Sequence, residues 1–124
     1  MLNEMQGENL KFPKGIITGC AGKFSSLYAE YTEAPEEFYF VSFLVLMGNL
    51  MADKLTMNSE ISPQPRINAL LLGASGDLRK SSAVDVTIKF YREAITDFQI
   101  CRGIGSAEGF AKILNEKKQN CFVF

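Results

Sequence analysis

The chain has 124 residues, enough for one modest domain, and its 47 % hydrophobic and 22 % charged residues are those of an ordinary globular protein. Its net charge of −1 excludes a general basic field that would attract nucleic acid. The sequence has no histidine, which excludes histidine-based catalytic triads, histidine general bases and the commonest metal ligand.

Cysteine usage and the start of the chain indicate the compartment. Cys20, Cys101 and Cys121 are an odd number without C-x-x-C spacing, so neither a disulfide framework nor a zinc site is suggested. The first nine residues are polar and acidic, unlike a signal peptide. These features predict reduced, partly buried thiols and a cytoplasmic protein.

The N-terminal half has a helical pattern. Apolar spacing predicts a helix over Ala21–Thr32, and Pro35 marks the start of a second helix that runs to about Asp53. The apolar stretch Phe38–Ala52 is shorter than the roughly 20 residues of a membrane span, which favours a helix buried on most sides and no membrane partner. The polar, proline-containing segment Lys54–Arg66 is a connector.

After the connector the pattern alternates between strands and helices. Two consecutive βα units of this size predict a mainly parallel sheet with right-handed crossovers. Ser106 is a good N-cap for the second helix of this part. The predicted elements are strand Ile67–Leu72, a helix from Lys80 to about Ile95, strand Phe98–Cys101, a helix through Lys118 and strand Asn120–Phe124.

The loop between the first predicted strand and its helix is typical of phosphate binding. Its small residues allow the backbone to approach phosphates closely, Lys80 is placed to reach β- and γ-phosphate oxygens, and Ser81 is placed to ligate Mg²⁺. The spacing G-x-x-x-x-G-K-[ST], counted back from Lys80, puts Ala74 and Arg79 at the two glycine positions. Lys80 is the candidate catalytic residue. The candidate nucleotide-binding residues are Gly73, Ala74, Ser75, Gly76, Asp77, Leu78, Arg79, Lys80, Ser81 and Ser82.

Simpler interpretations stand beside these assignments. The loop is alternatively a βα turn with a solvated basic helix start, and Asp77 is most simply a turn residue. Asp85 lies one turn beyond Ser81, where it either helps to position that residue or belongs to a solvated helix face. Glu108 either approaches the active site or is an acid favoured by the dipole of its helix.

Two motifs together give a resemblance to a known family. The loop matches G-x-S-x-x-x-R-K-[ST]-[ST] through Gly73, Ser75 and the run Arg79–Ser82, and Gly105–Gly109 reads G-S-A-E-G. In these motifs the chain resembles a family of P-loop ATPases of uncharacterised role, found in primase–helicase-like proteins of mobile elements, viruses and prokaryotes. The resemblance covers roughly Phe12 to Phe124.

The resemblance implies an α/β fold in which an incomplete, RecA-like P-loop parallel-sheet core follows an N-terminal helical segment. Residues 1–66 would be that segment with its connector, and residues 67–124 the first half of the core. ATP and Mg²⁺ would be the cofactors. In the complete protein, ATP hydrolysis would be coupled to work on DNA, and a homo-oligomer is compatible with such a role.

The acid that ends the last strand in such ATPases would follow Phe124, so we expect a fragment that does not hydrolyse ATP alone. The alternative is a natural terminus with an edge strand. The alternative function is a non-enzymatic remnant or interaction module with a P-loop-like turn. In that case the apolar N-terminal helix would be the partner surface.

Overall fold

The computed structural model describes residues 11–73, 79–117 and 122–123. Four helices are the main elements of these residues, and 56 % of the residues are helical. In chain order the elements are a 3₁₀ turn at Lys14–Ile16, helices α1 (Gly19–Tyr31), α2 (Glu36–Met51) and α3 (Lys80–Ala94), strand β1 (Ile100–Cys101), helix α4 (Ala107–Lys117) and strand β2 (Phe122–Val123).

Helices α1 and α2 form a hairpin whose turn is fixed by side-chain hydrogen bonds. The hydroxyl of Thr32, just after α1, donates to the Tyr28 carbonyl oxygen at 2.9 Å and accepts from the Tyr39 hydroxyl at 2.9 Å. Pro35 is the N-cap residue of α2, and Glu36 lies in its first turn, where the helix dipole favours an acid. The local sequence thus both ends α1 and starts α2.

The core lies where α1, α2 and α3 meet. The Phe43 ring of α2 lies 5.0 Å from the Phe24 ring of α1 and 5.3 Å from the Tyr91 ring of α3, measured between centroids. The Tyr91 hydroxyl donates to the Phe43 carbonyl oxygen at 3.0 Å. Burial, with a smaller contribution from the nearby Cys20, raises the pKa of the Tyr91 phenol well above its usual range.

Two contacts define how α3 lies beside α2. Arg79, just before α3, pairs with Glu33, just before α2, at 2.7 Å, while Tyr91 reaches Phe43 one to two turns into α2. The two helices therefore start at the same side of the molecule. The returning segment, residues 52–73, passes back across α2, where the Pro65 carbonyl lies against Gly48. Within residues 11–73, 79–117 and 122–123, no helix has the length and apolarity needed to cross a membrane.

The predicted P-loop, RecA-like parallel-sheet core is wrong. The structure is mostly helical, and Ile67–Leu72, the strand that should carry the loop, forms no strand. The strand pairing in the described residues is a two-residue parallel match of Ile100–Cys101 with Phe122–Val123. A strand is stabilised by hydrogen bonds and side-chain pairs with a neighbouring strand, and the apolar run of residues 67–72 has no such neighbour there.

The helix predictions are confirmed to within a few residues. The structure places α1, α2, α3 and α4 where the apolar spacing predicted helices, and the Ser106 hydroxyl accepts a hydrogen bond from the Gly109 N–H at 3.1 Å, as expected of an N-cap. The strand predicted over Asn120–Phe124 is observed at residues 122–123, and its other positions lie outside the described residues. The division at residue 66 stays a prediction.

The cysteines depart from the prediction of reduced thiols. Cys101 is disulfide-bonded and buried, so the prediction is wrong for that residue. Cys20 is a free, exposed thiol. Cys121 lies outside the described residues.

Candidate functional site

The start of α3 has an unusual backbone. Arg79 is its N-cap residue and has φ 41° and ψ 41°. These angles lie in the left-handed region, which residues other than glycine rarely adopt. Its carbonyl oxygen accepts the Ala83 N–H at 3.0 Å, so regular helix begins directly after it. Such a conformation costs on the order of 1–3 kcal/mol and is found preferentially at functional sites.

The side chain of Arg79 is held by an acid from the α1–α2 turn. Its guanidinium lies 2.7 Å from a Glu33 carboxylate oxygen, and both side chains are more than half exposed. The pair contributes little stability in that setting, because water screens the attraction. In this arrangement Arg79 contacts a carboxylate, and its assignment as a nucleotide-binding residue stays a prediction.

Lys80 closes the predicted phosphate loop. Its ammonium group donates a hydrogen bond to the Gly73 carbonyl oxygen at 2.6 Å, which joins the two ends of the loop. Ser81 and Ser82 are exposed in the first turn of α3. The predicted site residues between these ends, Ala74, Ser75, Gly76, Asp77 and Leu78, lie outside the described residues.

The electrostatics at this helix start favour an anion. The first turn of α3 contains no acidic residue, and Arg79 makes no side-chain capping hydrogen bond. The first residue is the cation Lys80, which the positive end of the helix dipole disfavours. A phosphate or carboxylate at this position would offset that cost and accept hydrogen bonds from backbone N–H groups of the first turn.

Lys80 and Ser81 face a cleft of about 660 Å³, a volume typical of small-molecule sites. The cleft lies between α2, the returning segment before the loop, and α3, with α4 and β2 at its edge. Its polar lining comes from Ser42, Asn49, Arg66, Asn68, Lys80 and Ser81. Its apolar lining comes from Val41, Val45, Ile67, Ala69, Leu70, Leu71, Val84, Phe110, Leu114 and Val123.

Sequence reasoning missed the α2 wall of this cleft. Ser42 and Asn49 lie seven residues apart on one face of α2, and Arg66 comes from the returning segment. Arg66 also pairs with Asp53 at 3.8 Å. A signal was available for Ser42, because it is the one serine in the apolar run Phe38–Leu46.

Asp85 and Glu108 are the acidic candidates among the described residues. The Asp85 carboxylate contacts the Arg102 guanidinium, and Glu108 is an exposed acid in the first turn of α4. The part of the chain that the structure describes has no group of three acids or cysteines able to hold a metal ion. Since Mg²⁺ prefers a shell of oxygens that includes carboxylates, these residues do not form a protein cage for it.

Comparison with protein-family models, with curated proteins and with solved structures finds no match to this chain. The family resemblance suggested by the two motifs therefore stays a prediction.

Proposed function

We propose that this chain binds a nucleotide in the cleft, with the phosphates at the start of α3. The observation that carries the proposal is that the Lys80 ammonium group, Ser81 and the acid-free first turn of α3 meet at one end of the same cleft. This combination supplies a point charge, a hydroxyl and backbone donors to phosphate oxygens. The proposal does not require a parallel sheet.

The remaining walls of the cleft favour a ligand that has an apolar part in addition to its phosphates. Ten of its sixteen lining residues are apolar or small, and they come from α2, the segment 67–71, α3, α4 and β2. An inorganic anion would leave these walls without a partner. A nucleotide combines a charged end with a flat, weakly polar end, and so matches both parts of the cleft.

The finer predictions remain part of the proposal. ATP is the proposed nucleotide, and any Mg²⁺ would arrive with the phosphates, with Ser81 as its candidate protein ligand. Hydrolysis with Lys80 as the catalytic residue and a homo-oligomer stay predictions. Coupling to DNA also stays a prediction and comes from the family resemblance alone.

Removal of the Lys80 ammonium group tests the proposal. Lys80→Ala should weaken ATP binding by about tenfold or more, because a hydrogen bond to a charged group contributes about 1.5–3 kcal/mol. Isothermal titration calorimetry of ATP into wild type and variant measures this change. Thermal unfolding of both proteins would show whether loss of the Lys80–Gly73 hydrogen bond alters the fold.

Lys89→Ala is the matched control. Lys89 lies on α3, its side chain is 78 % exposed, and it faces Glu93 at 3.9 Å rather than the cleft. Its removal should change ATP affinity by no more than about twofold, since an exposed charge pair contributes little. Equal losses in the two variants would show that general positive charge, and not the cleft, attracts ATP.

A protein-interaction module is the second candidate function. Its support is that Leu70 and Leu72, just before the loop, are 81 % and 76 % exposed in a segment without regular structure. The apolar helix named as the partner surface from sequence is a weaker candidate, because Phe38, Phe43 and Leu46 of α2 are buried in the core. Absence of ATP binding at millimolar concentration would favour this second function.

A further inference from the structure

Both cations of the predicted phosphate loop are already engaged by acceptors of the chain itself. The Arg79 guanidinium lies 2.7 Å from a Glu33 carboxylate oxygen, and the Lys80 ammonium group donates to the Gly73 carbonyl oxygen at 2.6 Å. The two acceptors differ in charge. The Gly73 carbonyl is neutral, whereas Glu33 carries the kind of negative charge that a phosphate would also bring to Arg79.

Glu33 comes from a part of the fold outside the cleft. It lies in the turn between α1 and α2, and it is not among the residues that line the cleft. The hydrogen bonds of Thr32 fix the backbone directly before it. Because the first turn of α3 has no acid of its own, a carboxylate from another element brings negative charge to this helix start.

The pair between Arg79 and Glu33 is accessible and weak. The two side chains are 56 % and 74 % exposed, and water screens the attraction between exposed charges. A nucleoside triphosphate carries several negative charges, and each phosphate group can accept two parallel N–H bonds from a guanidinium. Such a ligand approaches the pair from solvent and outcompetes a single carboxylate for Arg79.

Arg79 is within reach of the proposed phosphate position. It directly precedes Lys80, and consecutive Cα atoms are about 3.8 Å apart. Lys80 and Ser81 line the cleft, so phosphates bound there lie close to the backbone of Arg79. Rotation about the bonds of the exposed arginine side chain is therefore enough to move the guanidinium from Glu33 to a phosphate.

We propose that Glu33 is an internal competitor of the ligand. Phosphates bound at the start of α3 take Arg79 from the Glu33 carboxylate, and the loss of this pair lowers the affinity of the cleft for the ligand. This inference rests on the proposed function, since it concerns the same phosphate position. The competition acts on the phosphates and is independent of the nucleoside.

Neutralising the carboxylate tests the competition. Glu33→Gln keeps the size of the side chain and removes its charge, so ATP and inorganic tripolyphosphate should each bind about threefold to fivefold more tightly, the equivalent of one exposed ion pair. Glu30→Gln is the matched control, because it removes the same charge from an exposed residue of α1. It should change both affinities by less than about 1.5-fold, since salt screens charges that are not in contact. Isothermal titration calorimetry measures these affinities.

A double-mutant cycle shows whether the gain depends on Arg79. Arg79→Gln should weaken the binding of both ligands, and Glu33→Gln added to Arg79→Gln should bring little further gain, because the carboxylate then has no guanidinium to hold. A gain from Glu33→Gln that persists unchanged in Arg79→Gln would show simple repulsion between the acid and the ligand. That result would overturn the competition.

The outcomes separate this inference from the proposed function. If wild type binds neither ligand, or if Lys80→Ala leaves both affinities unchanged, the phosphate site fails and the competition fails with it. If Lys80→Ala weakens both ligands but Glu33→Gln leaves the affinities unchanged, lowers them or only matches Glu30→Gln, the phosphate site stands and the role of Glu33 is overturned. A lowered affinity would show that the carboxylate positions Arg79 for the ligand instead.

Discussion

Replacing Leu46 with alanine is expected to lower the free energy of unfolding by about 2–5 kcal/mol, the range for removing a buried leucine side chain. Leu46 is fully buried in the cluster formed by α1, α2 and α3. The loss combines the transfer free energy of the deleted methyl and methylene groups with the cost of the cavity that remains. Urea unfolding followed by circular dichroism measures the change.

Met47 provides the control from the next position of the same helix. Its side chain is 37 % exposed, so Met47→Ala removes a similar number of atoms from a partly solvated site. We expect a change within about 0.5 kcal/mol, as is usual for surface substitutions. Similar losses for both variants would contradict the assignment of α2 as the buried centre of the core.

Replacing Gly48 with alanine is expected to have the second largest effect, through a steric clash. A Cβ atom at this position would lie 2.2 Å from the Pro65 carbonyl oxygen and 3.2 Å from the Pro65 carbonyl carbon. Alanine is favoured over glycine in a helix by about 1 kcal/mol, but this clash involves backbone and cannot be relieved by rotating a side chain. We expect a net loss of about 1–3 kcal/mol, as for overpacked cores.

Gly48→Ala should also affect the cleft. The residue after Pro65 is Arg66, whose Cα would lie 3.7 Å from the added Cβ atom, and both Arg66 and Asn49 line the cleft. A shift of the returning segment away from α2 should therefore weaken ATP binding as well as stability. Calorimetry on the same variant measures that second effect.

Gly15→Ala is the control for Gly48→Ala. A Cβ atom at Gly15 would meet no atom within 4 Å, so its stability change should stay within about 0.5 kcal/mol. If Gly48→Ala were as stable as wild type, the returning segment would not lie against α2 as the structure has it.

Local sequence signals were sufficient to predict the helices. These signals are the apolar spacing in α1 and α3, Pro35 before α2 and Ser106 before α4. Each acts within one or two helical turns, so the helix it predicts does not depend on the packing around it. The same signals predicted that α2 would be buried. Each of these features is fixed by residues close together in the chain.

The absence of a strand at residues 67–72 and the wall of the cleft could not be predicted in this way. A short apolar run becomes a strand only beside a partner strand, and in the structure Leu70 and Leu72 are exposed while Leu71 packs against the core. That Ser42 and Lys80 line the same cleft depends on how α3 lies beside α2. The motif therefore indicated one end of the cleft, and the other end emerged only from the packing of the helices.

The most direct test of the nucleotide-binding proposal is a titration of the ¹⁵N-labelled chain with ATP, followed by amide chemical shifts. We expect saturable shifts that are largest at the amides of Lys80, Ser81 and Ser82, with further shifts at Ser42 of the α2 wall, and little change at exposed Lys23 on α1. Shifts that are absent at millimolar ATP, or that are largest away from the start of α3, would contradict it.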